Sequence, residues 1–122
     1  MNKQEIFDTV VEHARKQGCK AIDVKNGCLY RAPDGKKCFV GALFTDDEYD
    51  PGMEQETVSS LIVGGFMPKR LLFNEDESLC EDFYEGLQCI HDNREPEIWE
   101  RELEIFADEW DLVYRGPHAQ TS

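Results

Sequence analysis

Apolar residues follow a three-and-four rhythm at both ends of the chain and fall into short, unrhythmic runs between them. Phe7, Val10, Val11 and Ala14 make one apolar face, which predicts a helix over 3–17. Asn2 with Glu5 reads as its capping box, Arg15 and Lys16 suit its negative end, and Gly18 suits its stop. Near the other end, Leu79, Phe83, Leu87 and Ile90 predict a helix over 75–90 capped by Asn74. Trp99, Leu103, Phe106 and Trp110 predict a second one, opening at Pro96 and running to 110. The short link at 92–95 makes these two an antiparallel pair.

The middle reads differently. Apolar runs at 21–24, 28–32 and 37–40 are separated by Asn26-Gly27 and by Pro33-Asp34-Gly35, residue types that accept tight-turn geometry. They predict a three-stranded antiparallel meander. Gly41-Ala-Leu-Phe44 then begins a helical turn, and Thr45-Asp-Asp-Glu48 repeats the capping-box pattern ahead of a short helix stopped by Asp50-Pro51-Gly52. Residues 55–63 predict a helix with Val58, Leu61 and Ile62 inward and Gly64-Gly65 after it, and 67–73 a packed connection. The expected fold is α+β: a small three-stranded meander packed by four or five helices, ending in the antiparallel pair. Cys28, Cys38, Phe7, Leu43, Phe83, Leu87, Trp99, Phe106 and Trp110 are its expected core. Residues 1–115 form one globular domain, and 116–122 a flexible tail.

Charge adds most to this picture. The net charge is −13 over 122 residues, and it is uneven. Residues 1–45 hold eight Lys/Arg against five acids, whereas 46–122 hold five against 21. Between Glu75 and Asp111 there are fifteen acids and two arginines, and no lysine follows Lys69. Glu77, Glu81 and Glu85 stand four apart on one stripe. Glu97, Glu104, Asp108 and Asp111 make a second stripe opposite the Trp face, with Arg101 the one exception. Like charges at that spacing cost roughly 0.2–0.5 kcal/mol per pair, so a sequence shaped by stability alone would intersperse lysines. Solubility explains many acidic surfaces. Here the near absence of lysine favours a binding surface. Direct nucleic-acid binding is disfavoured, because the basic residues are few and scattered.

The five cysteines, Cys19, Cys28, Cys38, Cys80 and Cys89, include no Cys-x-x-Cys pair, and an odd count argues for reduced thiols. Cys28 and Cys38 flank the central turn, with His91, Asp92 or Cys89 as the remaining ligand types. A metal pair, or a Cys38 nucleophile with His91 as base, is the chemical alternative to thiols that fill the core. His91-Asp92 also suits a helix end that anchors against the hairpin. Asp46, Asp47, Glu48, Asp50 and Glu54 do not fit a calcium-loop spacing, and Pro51 interrupts them. No Ser-His-Asp set, phosphate loop or His-Glu-x-x-His motif is present. No apolar run approaches the roughly 20 residues of a membrane span, and no secretion signal opens the chain, so the expected location is cytoplasmic.

Cys28-Leu-Tyr-Arg31, Pro33-Asp-Gly35, Cys38-Phe-Val-Gly-Ala-Leu43, Tyr49-Asp-Pro51, Met53-Glu54, Leu87-Gln-Cys-Ile-His-Asp92 and Trp99 together cover most of 3–112. In these residues the chain resembles a group of small bacterial and phage-encoded proteins with no known activity. The resemblance implies a phage or mobile-element setting, and then the host cytoplasm. The function expected is a non-enzymatic acidic interaction protein that inhibits a nucleic-acid-binding host protein. It would be a nucleic-acid mimic of the anti-restriction or anti-CRISPR type, without cofactor. Glu77, Glu81, Glu85, Glu97, Glu104 and Asp108 would meet the partner's basic surface. The alternative is a small metal- or thiol-dependent enzyme or ligand-binding protein centred on Cys28, Cys38 and His91, with Asp92 as a further candidate ligand.

Overall fold

The computed structural model describes residues 2–23, 27–54, 56–72 and 77–115, without the side chains of 23, 27, 28 and 77–79. Helix α1 spans Lys3–Gln17. Its capping box closes as expected: Glu5 N–H donates to Asn2 Oδ1 at 2.8 Å, and Asn2 N–H to Glu5 Oε1 at 2.9 Å. Gly18 ends it at φ 67°, donating to the Ala14 carbonyl. Ile6, Phe7, Val10, Val11 and Ala14 are its buried face.

The predicted α+β meander does not form. The protein is helical over 58% of its described residues, and extended pairing there is vestigial. Strands β1 (Ile22–Asp23) and β2 (Gly27–Cys28) pair over two residues each, and Arg31 bridges Lys37 singly. Side chains take the places of a third strand. The Tyr30 and Arg31 N–H groups both donate to the Glu54 carboxylate at 3.0 Å. Lys37 N–H donates to Gln17 Oε1, and the Lys37 carbonyl accepts from His13 and from the Gln17 amide, each at 2.8 Å. With these backbone groups satisfied by side chains, no ladder remains to be built. The predicted 37–40 strand instead turns at Cys38, whose carbonyl accepts from Ala42 N–H, and enters a 3-10 turn at Gly41–Leu43. Asn26, of the predicted first hairpin turn, lies outside the described residues.

Thr45 and Glu48 exchange their capping-box bonds but hold only a turn, and Pro51–Met53 is a 3-10 turn. Helix α2 is shorter than predicted, Val58–Val63, because Thr57 caps it by accepting from Ser60 N–H. Helix α3 runs Glu77–Asn93, past the predicted end and through His91 and Asp92. Asn74 and the tail 116–122 lie outside the described residues. A 3-10 turn at Pro96–Ile98 leads into α4, Trp99–Glu109.

The α3–α4 pair is antiparallel: Phe83 early in α3 meets Trp110 after α4, with ring centroids 5.1 Å apart. His91 late in α3 meets Trp99 at the start of α4, at 5.6 Å. Phe106 bridges the pair to α1 by stacking on Phe7 at 5.9 Å. Of the expected core, Phe7, Cys38, Leu43, Phe83, Leu87, Trp99 and Phe106 are buried, and Trp110 is half-buried. Among the described residues, no helix is long and apolar enough to cross a membrane.

Candidate interaction surface

The acids of α4 are sorted by the helix's own periodicity. Trp99, Leu103, Phe106 and Ala107 are buried, so at about 100° per residue the opposite side carries Arg101, Glu104 and Asp108. Glu97 precedes them on the 3-10 turn. All four are exposed. Glu100 is spent elsewhere. It receives Arg15 through two bonds, Nε at 2.9 Å and Nη2 at 2.7 Å, tying α4 to α1, and that guanidinium holds its carboxyl below the usual range. Glu102 faces Arg94 at 3.8 Å. Glu97, Glu104 and Asp108 make no ion pair with any described residue.

The α3 acids stand on another face. Gly86 is where α4 presses closest, since a methyl there would lie 2.9 Å from the Phe106 ring. Glu81 lies about 140° and Glu85 about 100° around the helix from Gly86. Both also lack ion pairs among the described residues, Glu85 exposed and Glu81 half-exposed. The Glu77 side chain lies outside the described residues. Glu97, Glu104 and Asp108 are thus brought together on one side of α4, while Glu81 and Glu85 stand on α3 away from its Gly86 contact with Phe106.

Of the cysteine–histidine candidates, His91 and Cys38 are packed into the core. His91 is fully buried between Phe39, edge-on at 5.3 Å, and Trp99, stacked at 5.6 Å. Its Nε2 accepts from Ala21 N–H at 3.1 Å, so the ring proton sits on Nδ1 and is donated to Asp92 Oδ1 at 2.7 Å. Both ring nitrogens are therefore engaged in hydrogen bonds. Cys38 is also fully buried, and burial pushes its thiol up to about 12 while Gly41 N–H donates to its sulfur at 3.2 Å. Such a thiol is a poor nucleophile at neutral pH. Among the described residues no three His, Cys, Asp or Glu converge as metal ligands, and the Cys28 side chain lies outside them.

Glu54 is the polar centre that the sequence pattern left among the scattered acids. Besides the Tyr30 and Arg31 N–H groups it accepts the Tyr49 hydroxyl at 2.6 Å. The Tyr49 ring in turn lies under the Arg31 guanidinium, 4.9 Å from its centroid. Arg31 continues to Asp46 and to the Phe44 carbonyl, both at 2.7 Å. The available signal was positional: Tyr49 and Glu54 flank Pro51, whose turn brings their side chains together.

No family model matches the chain, and neither a curated protein nor a solved structure is significantly similar to it.

Proposed function

We propose that this is a non-enzymatic acidic interaction protein that presents carboxylates to the basic surface of a nucleic-acid-binding protein. The observation that supports it most is the disposition of charge. The chain's described ion pairs use Glu12, Asp34, Asp46, Glu48, Glu100 and Glu102, whereas Glu97, Glu104 and Asp108, which share their side of α4 with Arg101, point outward and form no ion pair among the described residues. Carboxylates left in that state stabilise an assembly when a partner brings Lys or Arg. The resemblance to phage-encoded proteins suggests a host nucleic-acid-binding protein as the target, with the acids standing where phosphates would. Inhibition of the anti-restriction or anti-CRISPR type belongs to that proposal.

The test is capture of partners from host extract at low and at high salt, with bound proteins identified by mass spectrometry. Partners rich in Lys and Arg should be retained at low salt and lost near 1 M, where screening acts over about 3 Å. Glu104→Lys with Asp108→Lys should lose them at low salt too. Retention that ignores both salt and the double substitution removes the reading.

A further inference from the structure

Resting on that reading, we propose that the contact face is the outer side of α4, and that the segment it receives carries apolar side chains flanked by Lys and Arg. The observation is a pair of isoleucines. Ile98 and Ile105 keep 40% and 43% of their surface exposed. Seven residues apart, they sit two turns and roughly 10 Å from one another on one flank, with exposed Arg101 between that flank and the side that carries Glu97, Glu104 and Asp108. The flank of α3 that holds Glu81 and Glu85 exposes no large apolar side chain among its described residues. Next to Ile105 the surface dips into a recess of about 400 Å³, formed by Ile105, Ala107, Leu112 and Tyr114 with Glu104 and Asp108. An open recess that combines apolar side chains with two carboxylates suits a residue that is both greasy and cationic at its tip, or an apolar residue between two such cations.

Charge decides among the occupants. A second copy of this chain would set Glu104 and Asp108 against their own equals, with a net charge of −13 on each molecule opposing the encounter. Residues 116–122 of the chain itself have no Lys or Arg and no large apolar side chain. A surface met by charges alone, as in pure phosphate mimicry, gains nothing from two isoleucines held in water. A Lys/Arg-rich amphipathic segment of another protein uses both the acids and the isoleucines, with i, i+3/i+4, i+7 anchors at the spacing Ile98 and Ile105 present.

Two synthetic peptides of equal length and equal lysine count make the test, one with leucines at i, i+4 and i+7 and the other with serines there. Each is titrated into the full chain and followed by amide chemical shifts. The leucine peptide should bind about tenfold more tightly, with the largest shifts around Ile98, Glu104 and Ile105. Ile98→Ser with Ile105→Ser should bring it down to the affinity of the serine peptide; both sites are exposed, and an unchanged thermal midpoint confirms that the variant is folded. Equal affinities, or shifts gathered around Glu81 and Glu85, overturn the inference while leaving the acidic binder standing. If neither peptide binds at low salt, the acidic binder falls and this inference with it.

Discussion

Residues 29–54 and the α3–α4 pair are both held firmly, by opposite means. The helical pair rests on rings and aliphatic side chains: Phe83, Leu87, Leu103 and Phe106 are buried, and its backbone bonds close within each helix. The 29–54 segment has almost no regular structure, and its backbone is held by side chains distant in sequence: its own Glu54 on Tyr30 and Arg31, Gln17 and His13 on Lys37, Arg70 on Leu43. Packing is forgiving, because apolar neighbours shift to fill or yield. A hydrogen-bonded backbone is not, because a donor that loses its acceptor in a buried place has no substitute. Single polar or backbone changes in 29–54 should therefore match or exceed the damage done by core truncations in the helices.

The largest expected effect is at a glycine. A methyl at Gly41 would lie 2.0 Å from the Tyr30 carbonyl oxygen, a backbone atom that is itself fixed by accepting from Cys38 N–H. Gly41→Ala must push these two chain segments apart, and it should cost about 4 kcal/mol or abolish folding. Gly86→Ala is the matched change in the helical pair. Its methyl would lie 2.9 Å from a Phe106 ring atom, which a small rotation relieves, and alanine favours the helix by about 1 kcal/mol. Urea denaturation should place it within about 1 kcal/mol of the parent. Similar losses at the two glycines would erase the distinction between the regions.

Next in size is Glu54→Gln. The amide keeps one oxygen acceptor and turns an NH₂ toward donors that need an acceptor, among Tyr30 N–H, Arg31 N–H and the Tyr49 hydroxyl. The expected loss is about 2–3 kcal/mol, comparable to Leu103→Ala, for which truncation of a fully buried leucine costs about 2–5 kcal/mol. A nearly isosteric change on a partly exposed residue would then rival the loss of a core side chain. If denaturation midpoints show Glu54→Gln to be neutral, the polar account of this segment is wrong.

The same contrast explains what could be read in advance. Helices α1, α3 and α4 were legible because their periodicity, capping and inward faces agree at every level, from Asn2 and Glu5 to the Trp99–Phe106 face. The meander was not. Asn26-Gly27 and Pro33-Asp34-Gly35 signal turns correctly, and Gly35 does adopt a positive φ of 93°. Whether the flanking runs become strands depends on where their N–H and C=O groups find partners. Those partners, Gln17, His13 and Glu54, lie 20 to 24 residues away in sequence, beyond the reach of any local pattern. The acidic stripes were legible residue by residue from the fourfold spacing. Their relative placement was not, since it depends on which flank of α3 meets α4, a fact carried by tertiary contacts such as Gly86 against Phe106 and Phe83 against Trp110.

The smallest effect concerns acid. Arg70 grips Glu48 at 2.6 and 2.9 Å while donating to the Leu43 carbonyl, which ties 29–54 to the turn before α3. The guanidinium pulls the Glu48 carboxyl from 4.5 down to about 2. Since the folded value lies below the unfolded one, the pair's stabilisation is complete above about pH 5 and is lost as pH falls toward 2, where the unfolded chain takes up the proton first. Burial of His13 lowers its imidazole below 6.5, so it acts in the same sense and begins earlier, as pH drops beneath that value. Partial exposure of the ion pair screens it, leaving about 1–2 kcal/mol for Glu48. Glu48→Gln should be less stable than the parent by about that much at pH 7 and should lose less on going to pH 2, the two converging as the parent's carboxyl is protonated. Taking the difference between parent and variant cancels the relief of repulsion among the outward acids of α3 and α4, which is common to both. A gap that stays constant from pH 7 to pH 2 would mean that the guanidinium holds Glu48 no better in the folded chain than water does in the unfolded one.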